Sequence, residues 1–208
     1  KAADIDGMLL THGHVDVGGL GPLLVREGFK GTVYATQATC DLVRIMLPAS
    51  AHSQESDAEL MNRKGRRRGD EPIQPLYGVD DAMDALKQFA PVHYDQELRL
   101  SDNLRVFFRD AGHILGSAIL EIYVKEGDKE TKLVFSGDLG QPDQPLLRNP
   151  TIIHGADFVI TESTYGDRLH QLYDKATALI EIVNETMDRG GNLIIPSFAG
   201  GRTQTLLY

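Results

Sequence analysis

The sequence predicts a layered α/β protein whose sheets are covered by helices. Three observations carry that prediction. Apolar runs of strand length recur along the 208 residues, stretches with helical spacing lie between several of them, and glycine-rich turns punctuate both.

Taken in chain order, Gly7-Met8-Leu9-Leu10-Thr11 reads as a buried strand that stops at His12. Residues 20–27 have helical character and end at Gly28, a residue suited to a left-handed C-cap. Residues 32–36 read as a short strand and 38–47 as a helix. A further helix is expected over 80–89, with acidic residues near its start and Pro91 just beyond its end. Residues 99–110 read as two strands around the turn Ser101-Asp102-Asn103. Residues 119–124 and 132–135 flank a polar turn, 126–130, as a hairpin. Phe158-Val159-Ile160 reads as a buried strand. Residues 174–189 read as an amphipathic helix closed by Gly190-Gly191, with a strand over 192–196 after it. The sequence has no internal repeat.

Hydrophobic content of 41% and charged content of 25% are those of an ordinary globular protein with a real core. No apolar run approaches the roughly 20 residues that a bilayer crossing needs. The single cysteine, Cys40, excludes an intramolecular disulfide and fits a reducing compartment, so a cytoplasmic protein without membrane contact is expected. The net charge of −9 argues against loose attraction of the whole surface to nucleic acid. It does not exclude a nucleic-acid enzyme, because carboxylates gathered around metal ions look acidic on paper while the bound cations reverse the local sign. The most polar stretch, residues 52–71, contains the strong basic cluster Arg63-Lys64-Gly65-Arg66-Arg67-Arg68. It reads as a solvated loop, or functionally as a phosphate-contacting edge beside an active site.

The richest signal is Thr11-His12-Gly13-His14-Val15-Asp16, in which three metal-ligand residue types alternate directly after an apolar strand. Imidazole nitrogen and carboxylate oxygen suit a borderline ion such as zinc. Downstream, Ala111-Gly112-His113-Ile114-Leu115-Gly116-Ser117 sets His113 in a glycine-bounded loop, and Phe135-Ser136-Gly137-Asp138-Leu139-Gly140 sets Asp138 in a turn after a strand. A lone histidine is usually a surface or core residue, and each motif alone is weak. Their order is the informative feature.

That order, HxHxD followed by a GH loop and SGD, resembles the metallo-β-lactamase superfamily. Residues 23–29, Tyr34-Ala35-Thr36, Glu162-Ser163-Thr164-Tyr165-Gly166-Asp167-Arg168 and Pro196-Ser197-Phe198-Ala199 look like its β-CASP branch of RNA-processing metallo-hydrolases, of bacterial and archaeal type. The resemblance runs along nearly the whole chain. It implies an αββα sandwich, here incomplete, over residues 1–172, and the start of an inserted β-CASP domain over 173–208. In that reading the hydrolase domain lacks its first strands and its C-terminal return, and is expected to expose apolar surface and to be less stable than the intact protein.

The resemblance further implies two zinc ions in an intact member. His12, His14 and His113 would bind one, Asp138 would bridge to the second, and Asp16 would serve the second and orient the nucleophile. Glu162 would support the centre by hydrogen bonding, and Ser163, Arg168 and Arg202 are candidate substrate contacts. The implied activity is phosphodiester hydrolysis in RNA, expected to be single-stranded, by a metal-activated hydroxide. A homodimer is kept open as the oligomeric state.

The chain departs from the pattern at one position. The family motif continues HxHxDH, and here Val17 stands where the last histidine would be. The first metal site is complete on paper and the second is weakened. A catalytically silent partner subunit of an RNA-processing complex is therefore the alternative function. A small-molecule hydrolase on the same fold is a third, disfavoured by residues 162–168 and 196–202.

Overall fold

The computed structural model describes residues 1–66, 68–169, 174–198 and 200–208. The expected domain boundary at 172/173, together with Arg67 and Ala199, lies outside the described residues. The chain forms two compact units, Lys1–Glu162 and Ser163–Tyr208.

In the first unit, β1 (Gly7–Leu9) leads through the metal-ligand motif into a single turn of helix, α1 (Val15–Gly18). Next come α2 (Gly21–Arg26), β2 (Thr32–Thr36), the long α3 (Gln37–Arg66), α4 (Val79–Leu86) and β3 (Phe89–Val92). A meander follows: β4 (Leu98–Ser101), β5 (Leu104–Asp110), β6 (Ala118–Glu126) and β7 (Lys129–Phe135), with β8 (Phe158–Ile160) added parallel to β7. Strands β1, β2 and β3 make a parallel three-stranded sheet, and β4 to β8 a five-stranded sheet in sequential order.

The alternation of side chains along the strands explains the layering. Val33 and Ala35 of β2 face the helices and join Cys40, Val43 and Leu47 of α3 with Ala82 of α4 in one buried cluster. Tyr34, between them, faces the other way. With Leu9 and Val92 it packs on Val106, Phe108, Ala118 and Leu120 of the second sheet. The unit is thus a helix layer, a parallel sheet and a mostly antiparallel sheet, three layers of the four in an αββα sandwich. The outer face of the second sheet carries polar and aromatic side chains. There Glu121, only 5% exposed, is paired with Arg109 and Lys132, and the Arg105 guanidinium lies 4.1 Å from the centre of the Tyr123 ring.

The C-cap of α2 follows from Gly28, whose φ of +106° lets Gly28 N–H reach Val25 and Phe29 N–H reach Leu24. Other expectations need correction. The helix expected to stop at residue 47 continues through Pro48 to Arg66, so most of the expected loop over 52–71 is helical. Pro48 removes one backbone donor, but Leu47, Ala51, Ala58 and Gly65 keep a buried stripe at helical spacing past it. Phe89 belongs to β3, where parallel pairing to β2 overrides the helical pattern. Strand β8 is exposed instead of buried: Phe158, Val159 and Ile160 alternate between the two faces and are 59%, 63% and 45% exposed, so no described element covers either face there.

In the second unit, α5 (Lys175–Asp188) starts at Asp174, whose carboxylate accepts the N–H groups of Ala176 and Thr177. The short α6 (Arg202–Leu207) follows. Residues 192–196 form no strand, since no described residue pairs with them. Among the described residues no helix is long and apolar enough to cross a membrane.

Candidate metal centre

The candidate ligands gather where strands end. His12 and His14 follow β1, His113 sits in the loop from β5 to β6, and Asp138 follows β7. Two backbone bonds close this edge: Leu10 N–H donates to Tyr34 O at 2.9 Å, and Ala118 N–H to Thr11 O at 2.7 Å. The second ties the end of the first sheet's strand to the start of β6 in the second sheet.

One ligand atom each from His12, His14, His113 and Asp138 lies within 4.8 Å of all the others. His12 Nε2 is 3.1 Å from His14 Nδ1, and His113 Nε2 is 3.4 Å from the same atom. Asp138 Oδ2 is 3.4 Å from His12 Nε2, 3.4 Å from His113 Nε2 and 3.9 Å from His14 Nδ1. A tetrahedral shell with ligands about 2.1 Å from its ion has edges of about 3.4 Å. The donor set and its spacing therefore fit a bound metal ion. The three rings stand nearly perpendicular to one another, with interplanar angles of 79–84°, so their nitrogens converge instead of stacking.

Electrostatics favours the ligating form. Burial pushes His12 down from 6.5 to about 4, against the pull of Asp138, and His14 and His113 push it lower. Burial also lowers His113, again opposed by Asp138. Both rings are neutral at pH 7 and present a lone pair. Thr11 Oγ1 lies 3.1 Å from His12 Nδ1 and can accept that proton, leaving Nε2 for the centre.

The remaining predicted residues take different places. Asp16 lies on α1 with an exposed side chain and is outside the group of four, yet its charge is near enough to raise the pKa of His12 and His113. Val17, 44% exposed, offers no ligand atom. Glu162 stands behind Asp138: its Oε1 accepts Leu139 N–H at 2.7 Å, and its own N–H donates to Ser136 Oγ at 3.1 Å. It thus holds both flanks of the Ser136-Gly137-Asp138-Leu139 turn. Ser163, Arg168 and Arg202 belong to the second unit. There Ser163 O accepts Gly166 N–H, Arg168 pairs with Asp167, and Arg202 reaches Pro196 O.

The structure adds positioning residues that the sequence reading did not single out. Ser117 Oγ accepts the N–H groups of His113 and Ile114 at 3.0 and 3.2 Å. Gly116 O accepts Thr36 Oγ1 at 2.7 Å and Thr39 Oγ1 at 2.9 Å, fixing the His113 loop to the start of α3. Hydroxyls directly beside ligands, as at Thr11 and Ser136, are a usable local signal. Thr36 and Thr39, about 80 residues from their partner, leave none.

In this αββ arrangement three imidazoles and a carboxylate converge at the strand ends, a donor set suited to a metal ion. The chain is 38% identical over 206 residues to ribonuclease TTHA0252 of Thermus thermophilus, covering 99% of this chain and 42% of that one. It is 32% identical over 209 residues to transcription termination factor FttA of Methanocaldococcus jannaschii, covering 98% of this chain and 30% of that one. The chain spans less than half the length of these curated relatives. No family model matches it. Among solved structures, a subclass B3 metallo-beta-lactamase from a soil metagenome library aligns with 65% of this chain and 42% of its own, at 19% identity and a TM-score of 0.40, too loose to bear on the fold. Over nearly its whole length the chain is similar to a ribonuclease and to transcription termination factors.

Two predictions follow from the geometry of the centre. Gly116 has φ +85°, and a Cβ there would lie 2.5 Å from Thr39 N. Gly116→Ala is expected to lose about 1–3 kcal/mol and to weaken metal binding by displacing His113; unchanged melting and metal affinity would contradict this. Acid should also destabilise the metal-free protein. Between pH 6.5 and about 4 the unfolded chain protonates His12 while the folded site stays neutral, so stability falls as pH drops through that window. Denaturant titrations at pH 7 and 4.5 should show the loss, and His12→Gln should reduce it.

Proposed function

We propose that this chain carries the metal centre of a zinc-dependent phosphodiesterase that cleaves single-stranded RNA in the cytoplasm. The observation that carries the reading is the convergence of His12, His14, His113 and Asp138 within 4.8 Å of one another. RNA as substrate draws on the names of the relatives, a ribonuclease and transcription termination factors. The proposed division is a hydrolase domain over residues 1–172 and the opening of a β-CASP domain over 173–208.

A zinc ion held there would supply Lewis acidity towards a phosphoryl oxygen and would lower the pKa of a water towards about 7. The chain's own residues do the rest. Neutral His12 and His113 supply lone pairs at working pH, and Asp138 supplies a negative charge among them. Asp16, exposed on α1, would serve a second ion and orient the attacking water. Glu162 acts through the turn that carries Asp138, as a positioning residue.

The test is made on the full-length protein with labelled single-stranded RNA. Zinc or manganese should support cleavage, a chelator should abolish it, elemental analysis should find about one zinc per chain, and Asp138→Asn should reduce the rate about 100-fold or more. Absence of cleavage with either metal overturns the reading.

Val17 favours a second reading, a catalytically silent partner subunit of an RNA-processing complex, since valine cannot serve as a ligand. Val17→His separates the two. A large gain in cleavage marks a working but impaired enzyme, whereas wild type and variant that are equally inert favour the silent partner.

A further inference from the structure

We propose that the C-terminal tip of α3 is a second RNA contact, holding backbone phosphates of the same strand about 30 Å from the metal centre. The proposal rests on the RNA-cleaving reading above and extends it to substrate length. Five of the chain's 21 lysines and arginines fall within the six positions 63–68, in a protein whose net charge is −9. Of these, Arg63, Lys64 and Arg66 lie in the last turn of α3, and all three are exposed.

The structure moves this cluster from a loop beside the site to the far end of a helix. The other end of α3 packs on the metal centre: Thr39 bonds Gly116 of the His113 loop, and Leu42 lies against Gly13 of the His12 loop. From Leu42 to Arg63 is 21 residues, or about 30 Å at ~1.5 Å per residue. A stacked strand covers that distance in about 9 nucleotides at ~3.4 Å each.

The tip is a built platform. Asn62 exchanges two hydrogen bonds with the backbone of Ile73, at 2.8 and 2.9 Å. Gly65 is buried, and its carbonyl accepts the N–H groups of Arg68 and Asp70 at 2.8 and 3.1 Å. With Gly65 facing inward, Arg63, Lys64 and Arg66 fan outward on the remaining faces.

Arg68 has its carboxylate, Asp70, at 3.1 Å. Among the described residues Arg63, Lys64 and Arg66 have neither a carboxylate nor a hydrogen-bond partner. A helix C-terminus favours a cation, but its field fades within the last turn and does not call for adjacent like charges that repel one another. Three unpaired cations on a fixed scaffold fit a run of phosphates, with guanidinium forks suited to phosphate oxygens.

The experiment uses the full-length protein, wild type and R63Q/K64Q/R66Q, with chelator present for binding and metal restored for cleavage. Fluorescence anisotropy reads affinity for a 20-nucleotide oligouridylate and a tetranucleotide over a salt series, and thermal melts check that the variant is folded. The variant should bind the 20-mer about 10-fold or more weakly, with a salt slope smaller by about 2, since each phosphate contact contributes ~0.7 on single strands. Binding and cleavage of the tetranucleotide should be unchanged, because it is too short to reach the tip. A 20-mer affinity and salt slope equal to wild type overturn the proposal, as they would if the tip seated an acidic protein surface instead. Cleavage without a tip effect leaves the nuclease reading standing alone. A tip effect in a protein that never cleaves RNA does the reverse.

Discussion

The rest of the site depends on one constraint: three imidazole nitrogens and a carboxylate oxygen brought within 4.8 Å of one another where the strands end. Each neutral imidazole has one N–H and one lone pair. His12, 1% exposed, has Thr11 as a partner for its Nδ1. With every ring in its metal-ligating tautomer, the Nε2 lone pair faces the His14 lone pair and the Asp138 carboxylate, an arrangement that desolvation makes costly without a cation. The centre is therefore built to be completed by a positive charge, and the protein keeps the donors in place through backbone and hydroxyl contacts that do not themselves ligate.

Those contacts explain why the ligands come from strand ends. Each sheet fixes its strands to within the register of its hydrogen bonds, and the packing of Tyr34 and Leu9 on Val106 and Leu120 fixes one sheet on the other. The loops beyond the strands inherit that precision over only a few residues. Thr36 and Thr39 hold the His113 loop, and Glu162 with Ser136 holds the Asp138 turn. Loss of a positioning hydroxyl would leave every ligand present and the geometry wrong.

Much of this was legible in the sequence, for identifiable reasons. Strands such as residues 32–36 and 104–110 show period-two burial that the hydrophobic pattern encodes directly. The ligand motifs were legible because they pack unusual residue types into short spacings. The part of α3 beyond residue 47 was not, because Pro48 is an ordinary stop signal and the residues after it are polar. Its buried face there is made of alanine and glycine, Ala51, Ala58 and Gly65, which carry little hydrophobic signal. The same ambiguity hid β3, whose Phe89 and Ala90 acquire strand character only by pairing with Val33 and Tyr34. Side-chain partners distant in sequence, such as Thr36 to Gly116, have no local signature at all.

Charge organisation joins the site to the rest of the molecule. A net charge of −9 would repel a polyanion if it were spread evenly. Under the proposed reading, a divalent ion among three imidazoles and one carboxylate would leave the centre locally positive, and the field would reverse where a substrate phosphate would enter. Close carboxylates such as Asp16 would reduce that excess, and valine instead of histidine at position 17 leaves the charge unchanged. Val17 therefore bears on how many ions the site can coordinate, and much less on its local charge. Three histidines and Asp138 converge on one point and Glu162 braces the turn that carries Asp138, so the metal-ligating group stands whichever reading of Val17 holds.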